Sequence, residues 1–224
     1  MPTRTPSSTP TPSPPRSSKP SSTASAPPAP RSNAGDGLPP NLRRTTLRPM
    51  TLLAEYDEAW ADQFATAAAQ LRTALGSTVG QIEHIGSTAV PGLAAKPVID
   101  VAACAKDLAR VGERDAELRG LGFSYEPAGP PGRRTYTRVV DGVLTHNLHV
   151  FPAEAWARLN QRILRDYLRE TPDAVREYGA AKRQLAADGL SGFDYTAAKT
   201  AVVQRLTDAA RARLGLPSVP VWES

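Results

Sequence analysis

The spacing of apolar residues divides the chain into alternating helix and strand segments. Apolar positions recur at helical spacing over residues 55–75, and Gly76 closes that segment. An apolar run with Asp141-Gly142 at its centre predicts a β-hairpin with a two-residue turn. The predicted elements, in chain order, are helix 55–75, strands 79–85 and 97–103, helix 106–119, loop 126–132, hairpin 136–151, and helices 153–170, 173–187 and 194–214.

This order of elements favours an α+β or mixed α/β fold. We expect a small mixed sheet with flanking helices and a helical C-terminal part. The globular part, residues 50–215, has the size of one ordinary domain and can bury a full core.

Composition changes the picture at the ends of the chain. The 224 residues include 22 Pro, and the prolines concentrate with Ser and Thr in the N-terminal region. Such a segment has too little apolar surface to offset the entropy of ordering. We therefore expect a disordered tail over residues 1–49, with Met50 as an alternative start of the protein, and a short C-terminal tail over residues 216–224.

Charge and cysteine content narrow the class of protein. A net charge of +5 is too mild to indicate a nucleic-acid surface. No apolar run approaches the roughly 20 residues of a membrane span. The single cysteine, Cys104, excludes an intramolecular disulfide and fits a reducing compartment. We expect a cytoplasmic protein that binds neither membranes nor nucleic acid, and the sequence does not identify a protein partner.

The strongest chemical signal lies in residues 81–100. Gly86-Ser87-Thr88 follows a predicted strand and can offer backbone N–H groups and hydroxyls to a phosphate, although an isolated Gly-Ser pair is most often an ordinary turn. Asp100 lies inside the next apolar run, where a carboxylate needs a partner, a metal or an altered pKa. Lys96 is the alternative partner.

The three histidines of the chain, His84, His146 and His149, all fall in this segment or in the hairpin. Their clustering favours a site, with His84 or His149 as a ligand or general base, while a structural role stays open. His146 points to the apolar face of the predicted hairpin, so we interpret it as structural.

The Asp-Gly turn sets the expected register of the hairpin. Pairing residue 140 with residue 143 places Arg134 opposite His149. The resulting polar face, whose residue types suit an anion, carries Arg134, Tyr136, Arg138, Asn147 and His149, with Thr145 beside them. A solvated face without a ligand is an equal alternative.

Basic residues recur on the predicted C-terminal helices. They are Arg165, Arg169, Lys182 and Lys199. Lys182 and Lys199 each follow a tyrosine, Tyr178 and Tyr195, by four residues, so each pair shares a helix face. Such lysines usually extend along a solvated face. The alternative is that the four basic residues line the open side of the sheet and hold a polyanion.

Residues 83–100, EHIGSTAVPGLAAKPVID, resemble the signature of the GrpB family. Residues 56–60, 148–150 and 165–169 and the two Tyr/Lys pairs extend the likeness over residues 52–212. The resemblance implies a nucleotidyltransferase-like fold in a family without a firmly established activity. GrpB-like domains also occur fused to dephospho-CoA kinases, where a folding-assistance role has been proposed.

The resemblance also implies a site. Gly86 and Ser87 match the phosphate-binding Gly-Ser element of nucleotidyltransferases, and Asp100 matches the first metal-binding carboxylate. Ala102 stands where the second carboxylate is expected, and the third would fall near Asn147 or His149. The candidate cofactor is therefore a divalent metal held by Asp100 and His149, either Mg²⁺ or Mn²⁺, with Zn²⁺ as a further option.

Two classes of function follow. The first is a divergent nucleotidyltransferase-like enzyme that binds a nucleotide or another phosphorylated small molecule, with Asp100, His149 and His84 as its catalytic residues. The second is a non-catalytic binding or folding-accessory module related to the C-terminal domain of dephospho-CoA kinases. Convergence of Asp100, His84, His149 and Ser87 at one cleft within metal-coordination distance favours a site, whereas a simple salt bridge from Asp100 to Lys96 argues against a metal.

Overall fold

The computed structural model describes residues 53–189 and 192–221, with the side chains of residues 192–196 left out. The predicted tail over residues 1–49 lies outside these ranges, as does Tyr195's side chain, and the predicted C-terminal tail is described as far as residue 221. The helices are α1 (Ala59–Leu75), α2 (Leu108–Gly112), α3 (Asp115–Gly120), α4 (Asn160–Glu170), α5 (Pro172–Ala187) and α6 (Gly192–Arg213). The strands are β1 (Val79–Ile85), β2 (Ile99–Ala105), β3 (Phe123–Tyr125), β4 (Arg134–Val140) and β5 (Val143–Pro152).

The five strands form one mixed sheet in the order β1-β2-β5-β4-β3. The pair β2–β5 is parallel, and the other three pairs are antiparallel. The predicted mixed α/β fold with a small mixed sheet and a helical C-terminal part is therefore confirmed. Among the helices that the structure describes, none is both long and apolar enough to span a membrane.

Most predicted elements form with small shifts of their ends. The predicted helix over residues 106–119 is two short helices, α2 and α3, because the chain turns between Gly112 and Asp115. Asp107 starts α2, since its carboxylate accepts a hydrogen bond from the Ala109 N–H at 2.8 Å. Strand β3 was not predicted, and its three residues form the edge of the sheet.

One face of the sheet, which we call the α1 face, packs against α1 and α3. Alternate residues of the central strands, such as Val101 and Leu148, are fully buried there with Leu71 and Leu75 of α1. The opposite face, which we call the pocket face, carries Asp100, beside which Asn147 lies on the neighbouring strand. These two faces place the predicted site residues in different surroundings.

A β-bulge between Arg138 and Val139 overturns the predicted hairpin register. The turn itself is as predicted, with positive φ at Asp141 and Gly142. Val139 and Val140 keep the predicted partners, but the pairs from Arg138 back to Arg134 are shifted by one residue. Thr145 is the extra residue of the bulge, and its hydroxyl donates to the Arg138 carbonyl at 3.1 Å. A shift of one residue moves side chains to the other face of a sheet.

Candidate functional site

The bulge separates the residues that the hairpin pattern placed together. Arg134, Tyr136 and Arg138 lie opposite Val150, Leu148 and His146, on the α1 face. The predicted grouping of these three residues with Asn147 and His149 is therefore wrong. The assignment of His146 to the apolar face is confirmed.

On the α1 face, these polar side chains bind each other. The Arg134 guanidinium donates to both oxygens of Asp115 at 3.0 and 2.9 Å, and the Tyr136 hydroxyl donates to the same carboxylate at 2.7 Å. Burial and the Asp115 carboxylate raise the pKa of the Tyr136 phenol, while Arg134 acts in the opposite direction. Arg138 Nε donates to His146 Nδ1 at 3.2 Å. These contacts give Arg134, Tyr136 and Arg138 a structural role on the face of the sheet opposite Asp100.

His84 also lies on the α1 face, because its neighbour on β2 is Val101. Its ring stacks on Phe64, with centroids 4.7 Å apart. The Thr88 hydroxyl donates to the Val98 carbonyl at 3.2 Å, so His84 Nε2 is the donor to Thr88 Oγ1 at 3.0 Å. Burial and the nearby Arg169 and Arg165 lower the pKa of His84 to about 4. His84 is thus neutral and positions the side chain of Thr88. The predicted catalytic role of His84 required it to lie on the same face as Asp100, and it lies on the opposite face.

Several of the other predicted residues lie around a cavity of about 210 Å³, which we call the lysine pocket. It lies between the Gly-Ser turn, the start of β2, strand β5 and helices α5 and α6. Its lining residues are Ser87, Thr88, Lys96, Val98, Asp100, Leu144, Asn147, Lys182 and Lys199. The Gly-Ser turn, Asp100 and two lysines of the C-terminal helices therefore meet at one cavity, whereas the predicted convergence of Asp100 and Ser87 with His84 and His149 does not occur.

Gly86 brings the Ser87 turn against β2. Its φ of +73° lies in the left-handed region that favours glycine. A Cβ atom at Gly86 would overlap Asp100 Oδ2 and lie 3.0 Å from Asp100 Cγ. Glycine is thus required twice here, by the backbone conformation and by the closeness of the carboxylate.

Asp100 is the carboxylate of the lysine pocket. The Asn147 side-chain amide donates to Asp100 Oδ1 at 2.8 Å, across the parallel β2–β5 pair. Burial raises the pKa of Asp100, while the Asn147 hydrogen bond and the positive charges of Lys199 and Lys182 act in the opposite direction. The strand pairing therefore explains why Asn147, predicted as a ligand-binding residue, lies beside Asp100.

Lys182 is almost fully buried, with 3% of its surface exposed. Its ammonium group donates to Ser87 Oγ at 2.6 Å and to the Ala94 carbonyl at 2.8 Å, and it lies 4.3 Å from the centre of the Tyr178 ring. The predicted sharing of one helix face by Tyr178 and Lys182 thus produces a direct contact. Burial and the charge of Lys199 lower the pKa of Lys182 to about 7.

Lys199 reaches the same pocket from α6. Burial lowers the pKa of its ammonium group, Asp100 opposes this shift, and Lys96 adds to it. Lys96, Lys182 and Lys199 therefore place their side chains around one cavity, in which Asp100 is the one carboxylate among the described lining residues. The polyanion alternative for the C-terminal helices gains support at the two lysines.

The two predicted arginines of α4 have structural partners. Arg165 Nη1 donates to Glu83 Oε2 and to the His84 carbonyl, both at 2.8 Å. Arg169 Nε donates to the Ala89 carbonyl at 2.8 Å. These bonds hold α4 against β1 and against the turn after Ser87, so both arginines stabilise the packing of α4 beside the site.

A second cavity of about 160 Å³ adjoins the lysine pocket and shares Ser87, Asp100 and Lys199 with it. The other lining residues are Gly86 and five residues of α4 and α5, which are Gln161, Leu164, Arg165, Leu168 and Tyr178. The sequence pattern does not single out Gln161 or Leu164, and it includes Leu168 only as part of the segment 165–169. No periodic signal distinguishes them from other residues that α4 buries against its neighbours.

His149 shares the pocket face with Asp100 but lies one residue pair further along the sheet, beside Ala102. Burial and the nearby Arg133 lower the pKa of His149 to about 4. Its Nδ1 atom is buried without a hydrogen-bond partner among the residues that the structure describes. His149 is therefore a neutral imidazole next to the pocket and outside its lining.

A divalent ion held by the protein does not fit the residues around Asp100. Mg²⁺ and Mn²⁺ prefer several oxygen ligands, whereas Ala102 and Asn147 occupy the neighbouring positions on this face. Within residues 53–189 and 192–221, no group of three His, Cys, Asp or Glu side chains is placed to hold a metal ion. The metal site predicted at Asp100 and His149 is not supported by these residues.

The chain is similar to known proteins in sequence and in fold. The chain is 36% identical over 171 residues to UPF0157 protein PA4798 of Pseudomonas aeruginosa, covering 73% of this chain and 69% of that protein. It is 30% identical over 177 residues to a dephospho-CoA kinase of Mycolicibacterium paratuberculosis, covering 65% of this chain and 42% of the kinase. The crystal structure of conserved protein GrpB from Enterococcus faecalis superposes with a TM-score of 0.68 at 31% identity, covering 73% of this chain and 99% of that one. The GrpB protein family matches residues 51–209, and the chain therefore belongs to the GrpB family.

Proposed function

We propose that the lysine pocket binds the phosphate group of a nucleotide or another small phosphorylated molecule. The observation that carries the proposal is the convergence of Lys96, Lys182 and Lys199 on the cavity that the Ser87 hydroxyl also lines. Three lysines, one of them (Lys182) partly protonated at neutral pH, outnumber the one carboxylate among the described lining residues, and their positive charge attracts an anion. We also propose that the protein is cytoplasmic, because a single cysteine fits a reducing compartment.

Hydrogen-bond donors in the pocket suit phosphate oxygens. The Lys182 ammonium and the Ser87 hydroxyl are already held 2.6 Å apart, so little ordering is needed when a ligand arrives. Lys199, which is half-buried, can approach the ligand from the opposite wall. Ammonium–phosphate hydrogen bonds are about twice as strong as neutral ones.

The test is isothermal titration calorimetry of the full chain with AMP, ATP, CoA and inorganic pyrophosphate. We expect at least one of them to bind, and Lys199→Gln to weaken that binding by about 10- to 100-fold. Lys106→Gln is the matched control, since Lys106 is an exposed lysine at the opposite end of β2. No binding by the wild type, or equal losses in both variants, contradicts the proposal.

A non-catalytic module is the second candidate function. Ala102 occupies the position where nucleotidyl transfer would need another carboxylate, and the similarity to a dephospho-CoA kinase covers less than half of that protein. The chain would then bind a phosphorylated ligand or assist a kinase partner without chemistry. Co-expression with a dephospho-CoA kinase tests this: a higher yield of folded kinase supports the module, and an unchanged yield contradicts the assistance.

A further inference from the structure

The charge around Asp100 has the wrong sign for a cation site. Lys96, Lys182 and Lys199 line the same cavity as Asp100, and the charges of Lys182 and Lys199 act on the Asp100 carboxyl. A divalent cation entering the pocket would meet repulsion from the ammonium groups before it gained a single carboxylate.

The Asp100 carboxylate also has little freedom to bind a metal. Its Oδ1 accepts the Asn147 hydrogen bond at 2.8 Å, and its Oδ2 lies against the backbone of Gly86. An ion at Oδ2 would have to share that narrow space with the turn. Asn147 and Ala102, the neighbouring side chains on this face, supply no second negative charge.

Lysines can do for a phosphate what metal ions do in many phosphate sites. They neutralise its charge and supply donors to its oxygens. In this pocket Lys182 is fixed by the Ala94 carbonyl and by the Tyr178 ring, so its position is set before a ligand binds. An anion that already carries Mg²⁺ has less charge to offer the lysines and brings a cation towards them.

From these observations we propose that the lysine pocket binds its ligand as a metal-free phosphate anion, with ammonium groups in the place that divalent ions would take. This inference rests on the proposed function and names the form of the ligand: a phosphate ester or diphosphate without bound Mg²⁺. Asp100 then acts as an internal counter-charge that offsets the repulsion between Lys182 and Lys199.

The first experiment titrates the full chain with AMP and with pyrophosphate, once in EDTA and once in excess Mg²⁺. We expect binding in EDTA that is equal to, or tighter than, binding in Mg²⁺. Binding that requires Mg²⁺ overturns this inference and leaves the proposed function standing. Failure of both ligands under both conditions overturns the proposed function itself.

The second experiment compares the wild type with Asp100→Asn in EDTA. A metal-held ligand would be lost in this variant, whereas removal of one negative charge from a lysine-held site should tighten anion binding, by up to about tenfold. Loss of binding by a variant whose melting temperature is unchanged overturns the inference.

A direct cation measurement keeps the inference testable if Asp100→Asn does not fold. Electron paramagnetic resonance of Mn²⁺ titrated into the wild type, in the absence of phosphate, reports any site for a divalent ion. We expect no stoichiometric binding of Mn²⁺. One tightly bound Mn²⁺ per chain, displaced by Mg²⁺, contradicts the inference.

Discussion

Both faces of the sheet carry charged side chains, but these side chains are arranged differently on the two faces. On the α1 face, Arg134 meets Asp115 and Tyr136 within 3.0 Å, and Arg138 meets His146. On the pocket face, three lysines surround a cavity, and Asp100 is the one carboxylate in its lining among the residues that the structure describes. The polar side chains of the α1 face bind each other, whereas those of the pocket face surround a cavity, and this difference separates a structural polar cluster from a binding site.

The same comparison distinguishes the histidines. His84 and His146 fill positions on the α1 face, where they stack on Phe64 and accept from Arg138. His149 lies on the pocket face, beside the site without lining it. Burial keeps all three neutral, so a cluster of histidines in the sequence here marks buried strands.

The largest expected effect is on acid stability. Burial lowers the pKa values of His84, His146 and His149 from 6.5 to about 4 each. Between these values the unfolded chain binds more protons than the folded one, so stability rises with pH and is lost as pH falls from 6.5 towards 4. The loss is at most about 1.4 kcal/mol per pH unit for each histidine.

Urea unfolding at a series of pH values measures this loss. His146→Gln, which removes one of the three titrating groups on buried strands, should flatten the pH dependence. A wild type whose free energy of unfolding is constant between pH 6.5 and 5 would show that the histidines are not held neutral by burial.

The next effect concerns the turn that joins the two parts of the site. Gly86→Ala should lower the free energy of unfolding by about 2–4 kcal/mol, because strain from a positive φ adds to overlap with Asp100. Gly92→Ala is the matched control, since Gly92 has a φ of +76° with no atom within 4 Å of an added Cβ. It should cost about 1 kcal/mol. Equal losses in the two variants would contradict the close contact of Gly86 with Asp100.

The smallest effect tests the separation of the two faces. Tyr136→Phe removes the hydroxyl that donates to Asp115 and accepts from Arg134, so it should lower the free energy of unfolding by about 1–3 kcal/mol. Phosphate affinity should not change. Lys199→Gln should show the reverse: stability within about 1 kcal/mol of the wild type and weakened phosphate binding. Loss of ligand affinity in Tyr136→Phe would mean that the two faces are coupled.

The sequence alone was sufficient for part of this picture. Apolar spacing located α1, β1 and the C-terminal helices, and the Asp-Gly pair located the hairpin turn. The Gly-Ser element, Asp100 and the spacing of Tyr178 and Lys182 identified one side of the pocket. These features are local, since each depends on residues within a few positions of one another.

The rest depends on contacts between distant segments. The residues around Thr145 carry no sequence signal for the bulge, which moves Arg134, Tyr136 and Arg138 to the α1 face. Whether Arg165 binds a ligand or Glu83 depends on how α4 packs against β1, across 82 residues of sequence. Register and packing therefore decided the role of most basic residues, and residue type alone did not.

The most direct test of the central claim is a crystal structure of the full chain soaked in tungstate, a heavy-atom substitute for phosphate. Anomalous scattering locates the anion without any assumption about its partners. We predict a tungstate in the lysine pocket within hydrogen-bond distance of Lys199, Lys182 or Ser87, and its absence from Lys199→Gln crystals soaked in the same way. Tungstate bound only at other basic residues, with the lysine pocket empty, would contradict the account.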